Sequence, residues 1–457
     1  MNKINVAVAL LLAGSALVAC GTDSNGNGNG GAGGAGGAGG AGGAGGTGGQ
    51  VACAAEGSGL LQVTISGLPQ GVDGDVEIEG VVVKSSTELQ LDGGDVTVEA
   101  RDVTQDAPIV RPLFRATTMT QTVCIEDEQT STVEIVYEQV PSSEKLWATT
   151  KNEDPHVVAF AADLLGATAT PVPTVALDAT TAAGTGAPAS ITFDRDGNLW
   201  AAYASGELRR FPAASIGASG EPEADVVITG FGGGLPGPTA LAFDAAGNLW
   251  VAITVEDRVV RYTPAQIAST GEPEPAVSLG DAATLDGPRG LAFDAAGNLW
   301  VATAGNVLVR YDASRLEAST TEAADAILEP MDTGGSARLA GASSLAFDAD
   351  GNLWASFFGP NVVGRIDAAD LAATGEEQVI PSVKLEIGLF ALLNGLAFDE
   401  SGGLWVALGP EGVARYEAAS LAAGGDQSPD TVLGGINLPC VAFFPAPRDL
   451  PLFHAVP

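Results

Sequence analysis

"FDAAGNLWVA" occupies Phe243–Ala252 and recurs unchanged at Phe293–Ala302. Near copies start at Phe193, Phe347 and Phe398, carrying the turns "DRDGN", "DADGN" and "DESGG". The "LW" pair of this decamer returns at Trp147, Trp200, Trp250, Trp300, Trp354 and Trp405, at intervals of 53, 50, 50, 54 and 51 residues by subtraction. A period near 50 built from short β segments is the signature of a propeller blade. One unit reads as four strands: "TALAFD" (239–244), "NLWVAI" (248–253), "RVVRYT" (258–263) and "PAVSLG" (275–280). The decamer therefore decides the fold.

Between the first two strands lies Asp-Ala-Ala-Gly, a type I turn with Asp first and Gly in the left-handed region. Asp194, Asp244, Asp294, Asp348 and Asp399 thus have a turn reason to exist. "DRDGN" and "DADGN" look like calcium-loop fragments, but the other copies lack the middle carboxylate and a distant bidentate Glu is missing. No metal is expected there. The Trp residues, with Phe193, Phe243, Phe293, Phe347, Phe398 and Phe443, are expected in the seams between blades, where each indole buries about 150–250 Å².

Between third and fourth strands each unit inserts an Ala-rich stretch, such as "PAQIASTGEP" or "DAADLAATGEE". A helical turn stopped at Thr-Gly or Ser-Gly is expected, covering a blade's outer edge. The first "LW" lacks a preceding "LAFD", while "LPCVAFF" (438–444) lacks a following "NLW". Each end supplies what the other lacks. The expected fold is all-β, a six-bladed propeller of four-stranded blades with the C-terminal strand innermost in the first. Cys440 then aligns with Ser190, Ala240, Gly290, Ser344 and Gly395, a small residue at a crowded channel position and the expected free thiol.

The N-terminal part differs. "MNKINVAVALLLAGSALVACGTD" has Lys3, an apolar run from Ile4 to Ala19 and a small-residue end, which reads as an export signal. Leu17-Val18-Ala19-Cys20 resembles a bacterial lipoprotein box, which implies acylation of Cys20 and anchoring to a membrane. Gly21–Gly49 is nearly all Gly, Ala, Asn and Ser, a disordered flexible tether with an r.m.s. reach of about 25–30 Å. Residues 51–141 alternate at period 2 in short runs, including "LLQVTI", "DVTVEA" and "STVEIVYE", separated by turn residues. That pattern argues a small β-sandwich. Cys53 precedes its first strand and Cys124 sits in a late one, so a Cys53–Cys124 disulfide is expected in an exported chain. "LLQVTISGLPQGV" with "ELQLDGGDVTVEA" resembles immunoglobulin-like or carboxypeptidase-regulatory-like modules. The expected division is 1–19 signal peptide, 20–50 lipidated Cys and linker, 51–141 sandwich and 142–457 propeller.

From Ser142 onward, "P-x-G-L-A-F-D-x-x-G-N-L-W-V-A…V-x-R-Y" resembles NHL-repeat propellers and the related gluconolactonase-like and virginiamycin B lyase-like propellers. The resemblance implies a ligand face built by loops leading into the first strand and loops joining strands two and three. Arg289, Ser343 and Asn394 lie in the first set. Asn152, Asp154, His156, Glu256, Asp257, Asn361 and Glu411 lie in the second. Gluconolactonase-like members hold a divalent metal through acidic side chains at the channel. The strands here read "SITF", "ALAF", "GLAF", "SLAF", "GLAF" and "CVAF", with no carboxylate before the terminal Asp. A lyase of this kind uses a histidine base, and the chain has only His156 and His454.

Net charge is −36, from 20 basic and 56 acidic residues. Such a surface repels phosphate backbones, which argues against nucleic acid as a partner. Gly21 rather than Asp after Cys20 points to the outer membrane. The expected function is a non-catalytic envelope lipoprotein that binds a protein, peptide or glycan through its propeller, without a cofactor. The alternative is a metal-dependent lactonase or a lyase acting at the central mouth.

Overall fold

Six sheets of at least four strands occupy the chain from Lys145 to Phe444. The computed structural model describes residues 53, 57–151, 156–179, 186–230, 237–280, 283–387, 395–448 and 450. Cys20, the Gly-rich segment, Asn152, Asp154, Asn394 and His454 lie outside them. No helix among the described residues is long and apolar enough to cross a membrane.

The sheet of the quoted decamer has strands Pro238–Phe243, Leu249–Ile253, Arg258–Tyr262 and Val277–Gly280, all antiparallel and in sequence order. The strands Ser190–Phe193, Pro288–Phe293, Ala342–Phe347 and Leu396–Phe398 open the equivalent sheets. The remaining sheet takes its inner strand from the far end of the chain. Cys440–Phe444 pairs with Lys145–Thr149 in the register Thr149↔Cys440 to Lys145↔Phe444. Each of these six inner strands touches the next, and Cys440–Phe444 touches both Leu396–Phe398 and Ser190–Phe193. The contacts form a closed cycle, so the fold is an all-β propeller.

Indoles fill the seams. All six Trp side chains are fully buried. Trp200 meets Phe243 of the following sheet at 6.2 Å between ring centroids, Trp250 meets Phe293 at 6.0 Å and Trp354 meets Phe398 at 6.1 Å, all edge-on. Trp405 meets Phe443 at 6.0 Å, so the same contact bridges the junction of the two chain ends.

The hairpin Asp does more than start a turn. Asp244 Oδ1 accepts from the Ala246 and Asn248 amides, and Oδ2 accepts from Asn248 Nδ2 and from Trp250 Nε1 at 2.8 Å. The same indole–carboxylate bond recurs at Asp194, Asp294, Asp348 and Asp399, at 3.0, 3.1, 2.9 and 2.9 Å. In "DESGG" the Asn is replaced by Gly403, and a Cβ there would lie 2.8 Å from Arg415 Nη2. Arg415 fills that space, donating to Asp399 Oδ2 at 2.6 Å and to Ser401 Oγ at 2.8 Å. Trp147, which has no such Asp, donates instead to the Ser142 carbonyl at 2.9 Å.

The Ala-rich inserts form single turns, three of them the 3₁₀ turns Ala213–Ser215, Ala313–Arg315 and Asp370–Ala372, and one the α-helix Ala418–Ala423. Their Ser-Gly and Thr-Gly ends reach sideways rather than merely stopping a helix. Gly271 pairs with Ile228, on the outer strand of the preceding sheet, and Thr270 Oγ1 accepts the Val227 amide at 3.0 Å. Ser219-Gly220 and Ser319-Thr320 make the same two contacts with earlier sheets. Thr168-Ala169 makes them with the last sheet, whose outer strand is Thr431–Leu433. Each insert therefore covers its neighbour's edge, and a second closure runs around the perimeter.

Residues 58–139 form two further sheets. One runs Thr87–Asp92, Ser58–Ser66, Thr130–Gln139, Leu113–Ala116, Val103–Thr104; the other runs Val81–Val83, Val76–Ile78, Gly94–Ala100, Thr120–Ile125. Inward residues of both, including Leu61, Ile78, Val98, Ile125 and Ile135, share one apolar core. Cys53 and Cys124 are joined, with Cα atoms 5.6 Å apart.

Candidate functional site

The six inner strands put equivalent residues at equal depth along the central channel. Ser190, Ala240, Gly290, Ser344, Gly395 and Cys440 form a layer of small side chains. Ile191, Leu241, Leu291, Leu345, Leu396 and Val441 form an aliphatic layer beneath. The Phe ring lies deeper still. The two ends of the channel are therefore chemically different.

The upper end opens into a cavity of about 600 Å³, in the range of small-molecule sites. Its polar lining includes Thr239, Thr254, Arg289, Ser343 and Ser344, with Thr150, Lys151 and Ser190. Thr239 Oγ1 lies 2.8 Å from Thr254 Oγ1, and Thr254 donates to the Pro288 carbonyl at 2.7 Å. Ser343 and Ser356 share a hydroxyl–hydroxyl bond of 2.9 Å. Ser344 Oγ accepts the Leu396 amide at 3.2 Å. These bonds fix the hydroxyls before any ligand arrives.

Arg289 is half-buried, and its guanidinium lies 5.4 Å from the ring centroid of Phe358, a contact of cation–π geometry. Phe358 itself is 40% exposed. Cys440, the free thiol, borders the cavity, and burial pushes its pKa up, against weaker hydrogen bonds from Ile191 and Ser190. No carboxylate or imidazole lines this cavity among the described residues.

The lower end is a smaller, apolar space of about 190 Å³, bordered by Phe243, Phe293, Phe347, Phe398 and Phe443 and by Ala446, Pro447 and Leu450 of the C-terminal segment. The stretch 106–111 of the N-terminal sheets packs against this end. Arg111, 5% exposed, pairs with Glu400 at 2.9 Å and donates to the Ala446 carbonyl at 2.8 Å. Burial lowers its pKa, opposed by the Glu400 charge. Arg448 pairs with Glu400 and Asp106, and the Glu400 amide donates to the Ile109 carbonyl. This end is partly covered.

Of the residues expected at the ligand face, Arg289 and Ser343 line the upper cavity. Glu256 is paired with Arg258 at 2.5 Å, and Asp257 accepts the Gly287 amide at 2.8 Å. Both border a separate shallow recess with Ser278 and Thr320. Asn361 and Glu411 sit in hairpin turns, Asn361 with φ 55°. His156 is buried, and its Nδ1 lies 2.7 Å from Asp178 Oδ1. Sequence reasoning missed Thr150, Lys151, Thr239 and Thr254, although position 239 directly precedes the aligned small layer and was findable from it. The one grouping of metal-ligand types among the described residues is Cys53, Asp95 and Cys124, and its two sulfurs are spent in the disulfide.

No family profile and no curated protein sequence matches the chain. Among solved structures it is similar to a streptogramin B lyase (16% identity, TM-score 0.36, 57% of this chain and 70% of that one). It is similar also to the virginiamycin B lyase of Staphylococcus aureus (15%, 0.34, 57% and 71%). A third is the computationally designed protein Ika8 (13%, 0.35, 84% and 94%).

Proposed function

We propose that this chain is an exported envelope lipoprotein, anchored through acylated Cys20 to the outer membrane, on its periplasmic face or at the cell surface. On that reading, residues 20–50 are a tether, residues 51–141 an immunoglobulin-like sandwich, and residues 142–457 a six-bladed propeller with NHL-like repeats. The propeller binds a small molecule, or the end of a peptide or glycan, at its upper mouth without transforming it. The observation that carries this is the contrast between a hydroxyl-lined upper cavity and a smaller, apolar, partly covered lower end. A lining of hydroxyls, small residues and cations, with no carboxylate or imidazole among the described residues, supports holding a ligand over acid–base chemistry.

Saturation-transfer NMR against a mixed library of acids, bases and neutral compounds tests binding. Ligands of the wild type should be lost in Ala189→Trp, which places an indole at the exposed rim where the native side chain is one methyl. Compounds that bind both proteins equally would refute the mouth as the site. Incorporation of radiolabelled palmitate, lost in Cys20→Ala, tests the anchor.

One observation favours a second reading. A histidine whose Nδ1 is held by a carboxylate is oriented as a general base, and His156–Asp178 has that geometry. A lyase would consume streptogramin B, and His156→Ala would abolish turnover.

A further inference from the structure

Charge bookkeeping singles out one side chain at the upper mouth. Acidic residues outnumber basic ones by 56 to 20, so carboxylate partners are abundant. Among the described residues, every arginine except Arg195 and Arg289 has a carboxylate within ion-pair distance. Arg195 is exposed on a hairpin turn. Arg289 is half-buried at the cavity, its guanidinium beside the Phe358 ring and in no ion pair with a described residue. The ring contact restrains the guanidinium, and no described residue accepts from its N–H fork. Lys151 adds a second cation to the same lining.

We infer that the upper mouth takes a small monoanionic carboxylate, with Arg289 as the residue that grips it. This rests on the mouth being the ligand site and names the ligand's chemical class. The planar fork matches a carboxylate through two parallel hydrogen bonds. Thr239, Thr254 and Ser343 surround it with hydroxyls that donate or accept. Aliphatic side chains below give the organic body of the ligand an apolar floor. The net charge of −36 selects against polyanions, since repulsion grows with ligand charge while the cavity offers only two cations among its described residues.

The test uses three compounds of one shape: benzoate, neutral benzamide and cationic benzamidine, with hexanoate and hexanamide as an aliphatic pair. Binding is read by saturation-transfer NMR and by protection of Cys440 from iodoacetamide, followed by mass spectrometry. Benzoate and hexanoate should bind about tenfold or more tightly than their amides. Benzamidine should not protect Cys440. Arg289→Ala should remove the preference for the acids, and Arg289→Lys should keep part of it, with circular dichroism unchanged in both. Equal binding of acid and amide, acid binding indifferent to Arg289→Ala, or no acid binding at all would overturn the assignment. Amide protection of Cys440 at the same concentration as the acid, or any amidine protection, would overturn it while leaving the mouth as the binding site. No ligand of any charge from the mixed library would overturn both.

Discussion

The two ends of the channel are made by the same repeated strand, yet one is open and hydroxylated and the other is apolar and covered. The repeat dictates the aliphatic and Phe layers, because every seam needs the same wedge. What differs is what each end meets. The lower end meets the chain's own C-terminal segment and the N-terminal sheets, held by Arg111 and Glu400. The upper end is lined by non-repeated residues, among them Thr239, Arg289 and Ser343. Residues invariant across the repeats build the frame, and those that vary furnish the site.

This contrast orders the expected effects of substitution. The largest belongs to closure. A chain ending at Pro439 loses the strand that pairs with Lys145–Thr149 and touches two neighbouring sheets, and should show no cooperative thermal transition. A retained transition would mean that the cycle does not depend on that strand. Trp405→Ala, at the seam between the chain's two ends, should cost about 3–5 kcal/mol in denaturant unfolding. Arg111→Ala leaves Glu400 with the weaker Arg448 pair and should cost about 2–3 kcal/mol. Loss of the Arg111 bond to Ala446 should also raise protease cleavage of the C-terminal segment. Arg289→Ala, at the open end, should change stability by less than about 0.5 kcal/mol. A cost comparable to that of Arg111→Ala would show that Arg289 is structural rather than reserved for a ligand.

The frame was legible in the sequence because it repeats. "FDAAGNLWVA" gives strand, turn and strand in ten letters, and the complementary ends "KLWAT" and "LPCVAFF" announce their pairing. The Asp-to-Trp bond was hidden because a turn already explained the Asp, although Asp and Trp recur six residues apart in five copies. The lateral Ser-Gly and Thr-Gly contacts were read as local helix stops. A single unit cannot show which neighbour it reaches. The site was less legible for a related reason. Loop position selected Glu256, Asp257, Asn361 and Glu411, but local ion pairs and left-handed turns already occupy Glu256, Asp257 and Asn361. Only depth along the channel separates Thr239, Arg289 and Ser343 from them, and depth is set by the ring, not by the loop.

The central claim is that the channel is entered from above. Alkylation of Cys440 by iodoacetamide in the native protein measures this directly. Because burial raises the thiol pKa, the reaction should be slow near neutral pH and should keep accelerating beyond the ordinary thiol range of about 8–9. Ala189→Trp at the upper rim should slow it severalfold, and Arg111→Ala at the lower end should leave it unchanged. Labelling indifferent to Ala189→Trp but accelerated by Arg111→Ala would place the entrance at the opposite end and contradict the account.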